Sequence, residues 1–147
     1  MARTLGVDYG TRRVGFAVSD EMAIVAVPLF IREVTSVAEA VRVVRAVAAE
    51  KGAACVVVGI PLNMDGSKGP MALQVEAFVA LLREGGGLEI ATWDERLSTG
   101  LVERMLVAAD VSRARRKEVR DKLAAQVILQ GYLDSRSAGS AWEDGEG

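Results

Sequence analysis

The period of the hydrophobic positions changes several times along the chain, and each change marks an element. Leu5-Gly-Val-Asp-Tyr9 is an apolar run carrying one carboxylate, Asp8, and it turns through Gly10-Thr11-Arg12. Val14, Phe16 and Val18 then alternate with Gly15, Ala17 and Ser19, the period of two of a half-buried strand. The pattern predicts two strands in a tight hairpin, with Gly10 supplying a backbone conformation closed to other residues. Ile24 to Val34 is a β-branched run broken by Pro28, and proline places this third strand at a sheet edge. Ser36-Val-Ala-Glu39 reads as a capping box. Val37, Val41, Val44 and Ala48 follow at helical spacing, and Lys51-Gly52 ends the helix. Ala54 to Gly59 is continuously apolar, as in a parallel strand buried on both faces. It opens into a polar loop, Ile60 to Gly69. Pro70 begins a second helix with Met71, Val75, Phe78, Val79 and Leu82 on its inner stripe, stopped at Gly85-Gly86-Gly87. Leu88 to Trp93 is the fifth strand, followed directly by Asp94-Glu95-Arg96.

Ser98 or Thr99 can cap a third helix with Leu101, Val102, Met105, Leu106 and Ala109 on its buried face. A longer last helix runs from Ser112 to about Arg136, with Val119, Leu123, Val127 and Ala124, Ile128, Tyr132 turned inward. The predicted fold is α/β. It is a five-stranded mixed sheet in which strands 1–3 are antiparallel, strands 4 and 5 run parallel to strand 1, and helices cover both faces. Residues 1–136 form one domain, and the Gly/Ser-rich acidic stretch 137–147 reads as a disordered tail. Ligands on such sheets collect at the carboxyl ends of the parallel strands, where Asp8, the 60–69 loop and Asp94-Glu95 all arrive.

Composition narrows the chemistry. Half of the 147 residues are hydrophobic and about a quarter charged, the balance of a water-soluble globular domain. No apolar run approaches the ~20 residues that span a bilayer, no signal peptide opens the chain, and a single cysteine, Cys55, fits a reducing cytoplasm. Cys55 lies in an apolar run and reads as a buried residue rather than a nucleophile. The chain has no histidine, which removes Ser-His and Cys-His nucleophile pairs and most zinc sites. Carboxylates remain, and oxygen ligands favour Mg²⁺ or Mn²⁺.

Asp8, Glu95 and Asp121 are the acids the topology can bring together. Singly, each has a plainer role: Asp8 as a turn-former, Glu95 as an ion-pair partner of Arg96, Asp121 as an i−4 partner of Lys117. Asp20, Asp65 and Asp94 are spare candidates. Three acids at one rim repel one another unless divalent metal holds them. Two metal ions ~3.5–4 Å apart hydrolyse phosphodiesters without a nucleophilic side chain. Six basic residues fall within Arg113 to Lys122. Of these Arg113, Arg116, Lys117 and Arg120 form one helical stripe, a phosphate track that Arg12, Arg13, Lys68 and Arg96 can extend. With two Trp, two Tyr and three Phe, the chain offers no stacking platform for single strands.

Four stretches, Gly6–Asp20, Val58–Gly66, Asp94–Thr99 and Asp121–Gln130, resemble in order and spacing the blocks of the YqgF (RuvX) family. The resemblance implies a ribonuclease H-like fold related to the RuvC resolvases. It implies a metal-dependent endonuclease, described either as a Holliday junction resolvase or as a pre-16S rRNA processing nuclease. It also implies Asp8, Glu95 and Asp121 as the acidic residues. The wider fold carries an acid at the end of the fourth strand where this chain has Gly59-Ile60-Pro61, which leaves the role to Glu95, with Asp94 or Asp65 as substitutes. Arg120 stands where the family has an apolar residue. Two alternatives differ in class. One is a non-catalytic, transcription-associated nucleic-acid-binding protein; the other is a fragment of an actin-like phosphotransferase, whose phosphate turn resembles Asp8-Tyr-Gly-Thr11. Branched DNA and structured RNA stay equally open as partners, as does a homodimer.

Overall fold

The computed structural model describes residues 2–97, 112, 115 and 123–136. The predicted helix over 101–109, the first part of the predicted last helix and the 137–147 tail lie outside the described residues. Five strands form one sheet in the order β3-β2-β1-β4-β5, with β1 Arg3–Tyr9, β2 Arg13–Ser19, β3 Ala26–Glu33, β4 Ala53–Ile60 and β5 Glu89–Asp94. The β1–β2 and β2–β3 pairs are antiparallel, while β1–β4 and β4–β5 are parallel. This is the predicted arrangement, with β1 at the centre and the proline strand β3 at an edge. No helix among the described residues is long and apolar enough to cross a membrane.

Strand alternation divides the core into two layers. Leu5, Val7, Tyr9, Val14, Phe16, Val56 and Val58 face helices α1 (Val37–Lys51) and α2 (Pro70–Glu84), and are buried with Val44, Val47, Val75 and Phe78. Tyr9 stacks on Phe78 with ring centroids 4.2 Å apart. The opposite face carries Ala17, Ala26 and Val57 and is covered by a helix over residues 123–136. That helix turns Ala125, Ile128, Leu129 and Leu133 inward with Tyr132 packed against them. Of the positions expected inward, Ile128 and Tyr132 are there, whereas Leu123, Ala124 and Val127 are only half-buried. Almost every position from 123 to 129 is apolar, so periodicity could not choose the face. The sheet chooses it. A Cβ on Gly6 would lie 2.7 Å from Leu129 Cβ, and one on Gly59 would lie 2.5 Å from Ile128 Cδ1. Two bare places on the strands thus admit two specific side chains.

The ends of the elements follow local chemistry, with two differences from expectation. Ser36 caps α1 by accepting from the Glu39 N–H at 3.1 Å, but the Glu39 carboxylate returns to the Thr35 N–H, one residue further back than a capping box requires. Gly10 does not adopt positive φ. Its missing Cβ matters instead because that atom would stand 2.8 Å from the Arg13 carbonyl oxygen, and Gly10 N–H donates to the same oxygen at 2.9 Å. Positive φ is needed at Gly52 (68°), which closes α1.

Candidate functional site

The carboxyl ends of the three parallel strands form one rim. Asp8 is the next-to-last residue of β1 and pairs with Gly15 in the β1–β2 ladder. It is a strand residue rather than a turn-former, and by alternation it lies on the face of the 123–136 helix. Glu95 follows β5, and its N–H donates to the Ile60 carbonyl at 3.1 Å, continuing the β4–β5 pairing one step past the strand ends. That bond directs the Glu95 side chain over β4. Its Cγ lies 2.9 Å from where a Cβ on Gly59 would stand. Glycine near the end of the fourth strand therefore has a physical reason: Ile128 of the covering helix and the neighbouring strand's Glu95 together occupy the space above it. The missing acid is visible in the sequence and the filled space is not, although a glycine in an apolar strand run is a signal of close approach.

The electrostatics separate Glu95 from the other rim acids. Burial first, then the charges of Asp8 and Asp94, push its carboxyl up to about 7. The spare candidates go the other way, each lowered by its local partners. Asp20 accepts from the N–H groups of Val25 and Ile24, and it lies after β2, at the sheet end opposite Asp8. Asp65 accepts from the hydroxyl and N–H of Ser67. Asp94 holds the Arg96 guanidinium at 2.7 Å. These three acids accept hydrogen bonds within their own turns, while Asp8 and Asp94 are the charges that act on Glu95. Asp121 lies outside the described residues. Among the described residues no three acidic or thiol groups gather as metal ligands.

The predicted cationic contacts divide similarly. Arg12 and Arg13 stand exposed on the hairpin beside Asp8 and line a cleft of 270 Å³. Arg96 is tied to Asp94, and its Nη1 donates to the carbonyls of Met64 (3.2 Å) and Asn63 (3.5 Å). It fastens the 60–69 loop to the end of β5. The plainer alternative for Glu95, an ion pair with Arg96, gives way to Asp94, whose carboxylate holds the guanidinium. Lys68 pairs with Glu76 at 2.6 Å. Arg113, Arg116, Lys117 and Arg120 lie outside the described residues. Cys55 is half-buried and its thiol is pushed up, chiefly by burial, which keeps it protonated and a poor nucleophile.

Comparison with known proteins gives this geometry a family. Residues 2–135 match the RuvX family, described as Holliday junction resolvase. A protein of Geobacillus kaustophilus named "Putative pre-16S rRNA nuclease" is 49% identical over 136 residues, covering 91% of this chain and 99% of its own. A protein of the same name from Myxococcus xanthus is 47% identical over 133 residues, covering 90% and 88%. Among solved structures, RuvC of T. thermophilus in complex with a Holliday junction substrate superposes with a TM-score of 0.55 at 17% identity, over 93% of this chain and 96% of that one. At that identity the likeness concerns the fold, which is that of the RuvC resolvases. With the family match spanning residues 2–135 and relatives 47–49% identical over most of their own length, the chain belongs to the RuvX family.

Proposed function

We propose that this protein is a cytoplasmic, metal-dependent endonuclease that hydrolyses phosphodiester bonds in structured nucleic acid, with Asp8, Glu95 and Asp121 as its acidic residues. The convergence of Asp8 and Glu95 at the carboxyl rim carries the proposal. Two half-buried carboxyls held this close cost free energy, and a phosphate-binding protein gains nothing from them. The nuclease names of the relatives and the family description support the same chemistry.

The donor set fits Mg²⁺ or Mn²⁺: hard carboxylate oxygens in a chain without histidine. Burial first, and then the negative charges of Asp8 and Asp94, raise Glu95; the charges that favour a bound proton there favour a metal cation as well. Asp8 and Glu95 would hold the metal, with Asp121 as a further donor. Asp121 stands four residues ahead of Ala125, whose Cβ lies 3.9 Å from where a Cβ on Gly15, the ladder partner of Asp8, would stand. A bound divalent ion would supply an acidified water and offset charge on the scissile phosphate. The protein's own parts do the rest. The β4–β5 extension aims Glu95, Gly59 leaves it room, and Arg12 and Arg13 with the 113–120 basic stripe hold flanking phosphates.

The test is cleavage of a four-way DNA junction and of precursor ribosomal RNA, with Mn²⁺ and with chelator. Cutting should need the metal, and Asp8→Asn should lower the rate by at least about a hundredfold. Undiminished cutting in that variant, or in chelator, would refute the mechanism. Symmetric cuts on a junction need two copies of the site, so we further propose a homodimer, checked by solution mass.

A further inference from the structure

Asp8 on β1, Gly15 on β2 and Ile31 on β3 are successive cross-strand neighbours. They form one row across three strands on the face that carries Asp8. The middle place has no side chain, and Gly15 itself is buried, with Ala125 of the covering helix 3.9 Å from where its Cβ would stand. The 270 Å³ cleft opens there, walled by Asp8 at one end, Ile31 at the other, and Thr11, Arg12 and Arg13 along the hairpin. Ile31 is 36% exposed, an apolar wall in a polar rim. Arg12 and Arg13 make no ion pair among the described residues.

We propose that this trough receives one unpaired nucleotide adjoining the phosphate that is cut, its base against Ile31 and its phosphate facing Arg12 and Arg13. The proposal rests on the nuclease reading above and adds a substrate class: nucleic acid with an unstacked nucleotide beside the scissile bond, as at a bulge, loop or branch. The space lies just below the ~300–1,000 Å³ of small-ligand pockets, room for one nucleoside and not for a base pair. A regular duplex turns its bases inward and offers this surface only phosphates. Its phosphates would meet the arginines and leave the Ile31 wall with nothing apolar to cover. An unpaired base supplies that cover, and being already unpaired it spares a few kcal/mol of opening.

The experiment compares two duplexes of one sequence, one fully paired and one with a single bulged nucleotide. Binding is measured in chelator, where no cutting is needed, and cleavage is mapped separately with Mn²⁺. The wild-type chain should bind the bulged duplex about tenfold more tightly and cut beside the bulge. Gly15→Leu, which fills the trough, should abolish the preference while keeping affinity for the paired duplex. Gly15→Ala guards against misfolding. Its Cβ would meet Asp8 Cβ at 3.7 Å and Ala125 Cβ at 3.9 Å, ordinary contacts, and it should lose part of the preference. Ile31→Ala should reduce the preference several-fold. Equal wild-type affinity for the two duplexes, or a preference that survives Gly15→Leu, overturns the proposal. Absence of cutting in both duplexes counts against the nuclease reading, while the binding comparison still decides the trough.

Discussion

Glu95 is the residue at which burial and charge oppose the fold most directly. Its carboxyl is pushed from 4.5 up to about 7, so in the folded protein it holds its proton where the unfolded chain has lost it. Between pH ~4.5 and ~7 the folded state binds more protons, and stability therefore falls as pH rises through that interval. Above ~7 the loss is complete. In chelator, the wild-type melting temperature should drop by several degrees between pH 5 and pH 8 relative to Glu95→Gln, which cannot ionise. A difference between the two proteins that stays constant with pH would place Glu95 outside this field. Gly59 is its counterpart in space. Gly59→Ala would press a methyl against Ile128 and Glu95, costing about 1–3 kcal/mol in a urea titration and displacing the glutamate. An unchanged midpoint would mean that the helix moves aside freely.

Among the elements, the 123–136 helix is fastened to the sheet by polar as well as apolar contacts. Gln130 accepts from the Ala26 N–H at 2.9 Å and donates to the Ile24 carbonyl at 2.9 Å, while Gln126 donates to the Ala26 carbonyl at 3.1 Å. The two amides complete the hydrogen bonding where β3 begins. Gln130→Ala leaves the part-buried Ala26 N–H without that partner and should cost about 1–3 kcal/mol, read from the denaturation midpoint. Gln130→Glu, which keeps an acceptor for that N–H, should recover part of the loss. The apolar spacing of 123–136 announced a helix and the inward turn of Ile128 and Tyr132, but not the burial of Ala125, Leu129 and Leu133. That face was settled by Gly6 and Gly59, far away in sequence, because only there can Leu129 and Ile128 sink to the backbone. The face of α2 was legible in advance, since Val75, Phe78, Val79 and Leu82 recur at i, i+3, i+4 and i+7, and all four are buried.

For the whole molecule, the site is a consequence of strand order. Placing β1 between β2 and β4 sets Asp8 beside the Gly15–Ile31 row on one side and the Gly59–Glu95 contact on the other. The hairpin arginines then lie along the same rim. Arg12→Ala with Arg13→Ala should lower the slope of log affinity against log salt by about two, with melting unchanged. An unaltered slope would remove the hairpin from the nucleic-acid surface. The alternation of β1 and β2, the proline edge and the parallel fourth and fifth strands were all determined by the linear sequence. Each depends on side-chain period, backbone donors or residue type, which are local properties. Tertiary structure alone decided the rest. Asp94 and not Glu95 takes Arg96, Glu95 fills the place left by Gly59, and the last helix turns its 125–128–129–133 face inward. These outcomes depend on which atoms come within a few ångströms of one another across strands, and spacing along a chain carries no such distances.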